Sequence, residues 1–303
     1  MNQSMRDAFG EAIMQLGKTN PKVLALTADV EPSVRLTDFA HEFPERFFNV
    51  GVAEANMVGV AAGLALEGFI PFCSSFAVFV PGRCFDHIRV SVCQNKANVK
   101  LVGSHYGFSN AGDGASAQSV EDMALMLSLP EMTIICPADG VETKKAVRAA
   151  SEKEGPVYLR ISRAETPLIT SEEDNFEIGK AGVLRKGKKV TIIACGSLVS
   201  EALIAAEKIN AEVINLSTIK PLDEETILSS VKKTGRVITL EEHSIIGGMG
   251  SRVAEFLGEK FPLPIKIMGI PDVFGESARD YQELLDKYGL NAENIIEEFE
   301  KIK

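Results

Sequence analysis

Gly51-Val52-Ala53-Glu54-Ala55-Asn56-Met57-Val58-Gly59-Val60-Ala61-Ala62-Gly63-Leu64-Ala65 sets one carboxylate at the head of a run that is almost entirely small or apolar. A helix apolar on every face is expected to be buried. A carboxylate in such a place is costly unless it is protonated or paired. Glu54 is therefore a candidate proton donor near neutral pH. The same residue also suits the ordinary first turn of a helix, where an acid complements the dipole. Gly59 and Gly63 are four apart and share a helix face, so another backbone can come close. Glu54 and Glu67 bracket fewer than the ~20 apolar residues that a membrane span needs.

Around this segment, short apolar runs alternate with helix-like stretches. Strands are predicted at 23–27, 99–103, 133–137 and 157–161, with a helix at 139–151 and a strand ending at Ser74-Ser75. This order is the pattern of a mostly parallel sheet with helices on both faces. The pattern breaks near Ala164, where Glu165-Thr166-Pro167 leads into the polar Ser171-Glu172-Glu173-Asp174-Asn175. It resumes with strands at 190–194, 212–216, 236–242 and 264–269 and a helix at 198–208. A further helix is opened by Gly247-Gly248-Met249-Gly250. The expected fold class is α/β in two domains, 1–166 and 187–303, joined by a linker at 167–186.

Bulk properties narrow the function. The chain has 303 residues, 45% hydrophobic and 24% charged, as in a soluble globular protein. A formal net charge of −10 without a basic cluster argues against nucleic acid. No apolar signal core occurs in Met1–Asp7, so a cytoplasmic protein without membrane attachment is expected. Cys73, Cys84, Cys93, Cys136 and Cys195 show no CxxC spacing. Reduced core thiols are expected, and no metal site.

In open parallel sheets ligands bind beyond the carboxyl ends of the strands. Three loops leave that edge: Ala28-Asp29-Val30-Glu31-Pro32-Ser33, the loop from Ser104-His105 to Gly112-Asp113-Gly114-Ala115-Ser116, and Ser162-Arg163-Ala164. Together they gather His105, Asp113 and Arg163, a set suited to an anionic small molecule bearing hydroxyls. Gly112-Asp113-Gly114 resembles the start of a metal-diphosphate motif, but no Asn follows near Asp139, so that reading is rejected. Phe76 and Phe79, after the expected strand end, fit either core packing or the wall of a flat pocket.

Over nearly its whole length the chain resembles the carboxy-terminal half of transketolases, as a separate beta-type subunit of a split enzyme. The likeness runs through Ala28-Asp29-Val30, Gly51-Val52-Ala53-Glu54, Ser75-Phe76-Ala77-Val78-Phe79, Ser104-His105, Gly112-Asp113-Gly114-Ala115-Ser116, Pro137-Ala138-Asp139-Gly140 and Leu159-Arg160-Ile161-Ser162-Arg163. It implies a thiamine-diphosphate pyrimidine-binding domain followed by a transketolase C-terminal domain. It also implies transfer of a two-carbon ketol unit from a ketose phosphate to an aldose phosphate. Glu54 matches the glutamic acid that hydrogen-bonds the aminopyrimidine, and Asp29, Val30, Val52, Phe76 and Phe79 match positions around the cofactor. Arg6, Ser33, His105 and Arg163 match groups that hold the sugar phosphate, with His105 also a catalytic candidate, and Asp113 matches a carboxylate on a substrate hydroxyl.

Two positions depart from the family. Ala117 stands where transketolases usually have a histidine, and Gly82 falls near a missing aromatic. Losing a substrate hydrogen bond typically costs ~1–3 kcal/mol. A sulfonated or branched sugar phosphate donor is therefore an alternative. The beta subunit of a 2-oxo acid dehydrogenase and a non-catalytic assembly subunit are two more. No segment supplies the diphosphate and metal site. The resemblance thus implies an N-terminal partner subunit that binds most of the Mg or Ca, in an α2β2 heterotetramer. Glu241-Glu242-His243 and the glycines after it are expected to support subunit packing.

Overall fold

A computed structural model describes residues 2–302. The first half carries β1 (Asn2–Ser4), β2 (Val23–Thr27), β3 (Phe47–Asn49), β4 (Ile70–Phe76), β5 (Lys100–Ser104), β6 (Thr133–Ile135), β7 (Val157–Ile161) and β8 (Glu165–Pro167). The second carries β9 (Gly182–Arg185), β10 (Thr191–Ala194), β11 (Glu212–Asn215), β12 (Thr218–Lys220), β13 (Val237–Ser244) and β14 (Ile265–Ile270). One sheet has the order β12-β6-β7-β5-β4-β2-β3 and another β14-β13-β10-β11-β9. Each is parallel except at one edge, where β12 and β9 run antiparallel. The α/β expectation holds. β9 lies within the stretch expected as linker.

The inner strands are buried on both faces, which explains why they are largely apolar on both sides, the paired Arg160 on β7 being an exception. Side-chain caps fix several helix starts. Ser4 caps Met5–Thr19, Asp139 caps Gly140–Glu152 and Asp223 caps Glu224–Thr234. Asp139 also accepts the backbone N–H groups of Ile169 and Thr170 at 2.7 Å, tying down the chain beyond the first domain. All five cysteines are free and buried. Among the described residues no helix is long and apolar enough to cross a membrane.

The two halves do not pack as independent bodies. β12 comes from the second half yet extends the first sheet. Arg160 on β7, 1% exposed, pairs with the fully buried Asp122 through bonds of 2.7 and 3.0 Å. It also donates to the Glu242 carbonyl at 2.8 Å and lies over the Tyr106 ring at 3.9 Å. Glu242 accepts from the Phe108 N–H at 2.6 Å and from Ser197 at 2.8 Å. Glu241 accepts the N–H groups of Met249 and Gly250 at the start of the helix Met249–Lys260. The expected role of Glu241-Glu242-His243 in subunit packing is corrected here, because all three are buried inside this chain.

A second correction concerns the helix Glu54–Leu66. Met57, Val58, Ala61 and Ala62 are buried, but Asn56, Gly59, Val60 and Gly63 are exposed. A Cβ built on Gly59 or Gly63 would meet nothing within 4 Å. The helix is apolar all round, yet this chain covers only one side of it. Removing one member of a buried ion pair leaves the other uncompensated, at a cost of about 3–5 kcal/mol. Asp122→Ala should therefore lower the urea-unfolding free energy by about that much. A loss below about 1 kcal/mol would show that Arg160 does not depend on Asp122.

Candidate active site

The site lies beyond the carboxyl ends of β2, β4, β5 and β7, as expected for an open parallel sheet. Three residues there adopt left-handed backbone without being glycine, Asp29 at φ 61°, Arg35 at φ 60° and His105 at φ 63°. Such conformations carry strain and cluster at functional sites. The Asp29 N–H donates to the Asn49 side-chain oxygen at 3.1 Å, and Asn49 also receives the Gly51 N–H at 3.0 Å. One asparagine thereby fixes both the β2 exit and the approach to Glu54.

Glu54 is the first residue of its helix and is 4% exposed. It is paired: one nitrogen of Arg83 lies 3.2 and 3.1 Å from its two oxygens. The Arg83 guanidinium also sits over the Phe79 ring at 4.1 Å. Phe79 stacks on Phe76, with centroids 5.7 Å apart and planes at 11°. Phe76 in turn stacks on His105 at 4.1 Å. Beyond His105, Arg6 approaches the ring nitrogen Nε2 at 3.4 Å and donates to the Ser33 carbonyl at 3.0 Å. A continuous row thus runs from the buried acid through two aromatic rings to a cationic end.

Arg163 and Asp113 flank this end through Asn110. Arg163 donates to the Asn110 side-chain oxygen, and the Asp113 N–H to the Asn110 carbonyl. Both side chains are exposed. Val30 packs against the first-sheet core, whereas Val52 is 72% exposed. Gly82 leaves open space, because a Cβ there would meet nothing within 4 Å. Ala117 presents only a methyl group, in a turn closed on the Gly114 carbonyl. Among the described residues no cluster of three metal-ligating side chains occurs.

The electrostatics set His105. Its pKa is pushed down to about 3, first by burial and then by the charges of Arg6, Arg163 and Arg35. It is neutral at pH 7. Nδ1 lies 2.8 Å from Ser104 Oγ. Because arginine can only donate, Nε2 must be the acceptor, so we assign the proton to Nδ1. Burial, Arg35 and Arg163 also lower the pKa of Arg6, the signature of several cations sharing a small volume. A chain of net charge −10 therefore concentrates positive charge at this one edge.

Sequence reasoning missed Arg83, Arg35, Asn49 and Asn110. Arg83 carried a usable signal, since it follows Phe79 by four residues and so shares its helix face. Arg35 lies two residues after Ser33 and pairs with Asp7, the neighbour of Arg6, at 2.5 Å.

Residues 1–168 match the transketolase pyrimidine binding domain and residues 179–295 the transketolase C-terminal domain. The chain belongs to the transketolase family. It is 46% identical over 97% of its length to a protein of Methanocaldococcus jannaschii, covering 94% of that protein, which is named provisionally as a transketolase C-terminal section. It is 43% identical over 96% of its length to a 6-deoxy-6-sulfo-D-fructose transketolase subunit of Clostridium sp., covering 92% of it. Among solved structures, a split-gene transketolase described as an inactive β4 tetramer is 45% identical, with a TM-score of 0.91. That match covers 100% of this chain and 98% of the other. The transketolase resemblance read from the sequence and its transferase class are thus borne out.

The histidine gives a test by pH. Its pKa in the folded state lies below the unfolded value near 6.5, so the unfolded chain binds the proton more tightly. The resulting stability is complete above about pH 6.5 and is lost as pH falls toward 3. His105→Asn, which tolerates the same backbone, should remove this dependence. Between pH 7 and pH 5 wild type should lose up to about 2 kcal/mol more unfolding free energy than the variant. Equal losses would contradict the assignment.

Proposed function

We propose that this chain is the beta-type subunit of a thiamine-diphosphate-dependent transketolase, active only with a separate N-terminal subunit. The observation that carries the reading is the row Glu54–Arg83–Phe79–Phe76–His105–Arg6. It offers a buried acid and flat aromatic surface to a heterocycle at one end, and hydrogen-bonding and cationic groups to an anionic sugar at the other.

The residues present fit the cofactor. Glu54 would hydrogen-bond the aminopyrimidine, Phe76 and Phe79 would hold its ring, and Asp29, Val30 and Val52 would border it. When bound, thiamine diphosphate supplies the nucleophilic carbon on which a two-carbon ketol unit is carried from ketose to aldose. Burial of Glu54 keeps water from competing for its carboxylate. Neutral His105, with Nε2 as acceptor, would take a hydrogen bond from a substrate hydroxyl and orient it. Arg6 and Arg163 bind the anionic head group, helped by the Ser33 loop. Asp113 accepts from a further hydroxyl.

The partner is supported by what this chain leaves open. The exposed Gly59, Val60 and Gly63 face and the exposed Val52 suit a surface covered on assembly. We assign Mg or Ca and the diphosphate to the N-terminal subunit, in an α2β2 arrangement within the cytoplasm. The relative that acts on a sulfonated fructose, together with Ala117, favours a second reading of the donor as a sulfonated sugar. The cationic edge accepts sulfonate or phosphate alike.

The test mixes the chain with its N-terminal subunit, thiamine diphosphate and Mg, and follows transfer from xylulose 5-phosphate or 6-deoxy-6-sulfofructose to an aldose phosphate. Glu54→Ala should lower kcat by about 10²–10⁴-fold, the usual worth of a positioned acid. Undiminished turnover in that variant would refute the role. Arg163→Ala should raise KM for a phosphorylated or sulfonated ketose, with little change for an uncharged one. Equal effects on both would remove Arg163 from the anion site.

A further inference from the structure

Both oxygens of Glu54 face a single nitrogen of Arg83, and the same guanidinium covers the Phe79 ring at 4.1 Å. Arg83 therefore occupies at once the carboxylate and the aromatic face that the aminopyrimidine would use. The two partners differ in freedom. Arg83 is 51% exposed and Glu54 only 4%. The guanidinium can swing into solvent without disturbing the core, and the neighbouring Gly82 leaves room beside it. The carboxylate is fixed.

We propose that Arg83 is a displaceable latch on Glu54, a positioning residue that compensates the buried carboxylate until the cofactor ring takes its place. The proposal rests on the thiamine-diphosphate reading above. An uncompensated buried carboxylate is costly, so the empty subunit needs such a partner. When the heterocycle arrives, its ring nitrogen becomes the hydrogen-bond partner of Glu54 and its face covers Phe79. Arg83 is expelled from both. Cofactor affinity then includes the work of opening the latch.

The measurement is a calorimetric titration of thiamine diphosphate, with Mg, into the chain assembled with its N-terminal subunit. Arg83→Met should tighten the Kd by about 3- to 10-fold, because a half-exposed ion pair no longer has to be broken. Arg83→Lys, which keeps the charge, should tighten it less. In a Glu54→Gln background Arg83→Met should make no difference, since there is no carboxylate to latch. Unchanged or weaker binding in Arg83→Met would overturn the latch. So would a gain that persists with Glu54→Gln, because the methionine surface would then be its source. Failure of wild type and every variant to bind thiamine diphosphate would instead refute the underlying reading, and the latch with it.

Discussion

A carboxylate with 4% exposure at the start of an apolar helix cannot stand alone. The site is organised around that constraint. Glu54 is held by Arg83, Arg83 lies on Phe79, and the aromatic pair leads to His105 and the arginines. Glu54, Arg83, Phe79, Phe76 and His105 are placed by the end of a parallel strand or by the helix that follows it, and Arg6 by the first helix, Met5–Thr19. The sheet thus converts residues far apart in sequence into one row at its carboxyl edge.

The second domain serves that edge without offering one of its own. Ser197, in the turn that leaves β10, and Glu242, near the end of β13, are engaged by Tyr106 and Phe108 from the first domain. The place where an open sheet would ordinarily take a ligand is used as a domain joint. The Arg160–Asp122 pair, sealed beneath Tyr106, sits at this joint. Its rigidity holds β7, and hence the loop carrying Arg163, against the His105 loop. A polar network of this kind stabilises only while every member is satisfied.

The regular elements were legible because they are set by local pattern. Val23–Thr27 and Val157–Ile161 read as strands from their apolar runs and fold as such. Three features were not legible, each for a physical reason. β12 crosses between sheets, and no local propensity encodes the strand it will pair with. The open face of Gly59 and Gly63 was read as buried because composition reports that a helix is apolar, not which chain covers it. The spacing of Arg83 from Phe79 places it on that ring's helix face but does not reveal its carboxylate partner; only the fold that brings residue 83 beside residue 54 does. The resemblance to transketolases named the residues along the row. What holds them in place, Asn49 on Asp29 and Asn110 on Arg163, came from the geometry.

The central claim is that Glu54 engages a heterocycle in a site this chain completes only with a second polypeptide. A crystal structure of the chain with its N-terminal subunit and thiamine diphosphate tests it most directly. The account predicts the Glu54 carboxylate at about 2.6–3.2 Å from a nitrogen of the aminopyrimidine ring, with Phe76 and Phe79 against that ring. A carboxylate still bound to Arg83, with the heterocycle elsewhere or turned away, would contradict it.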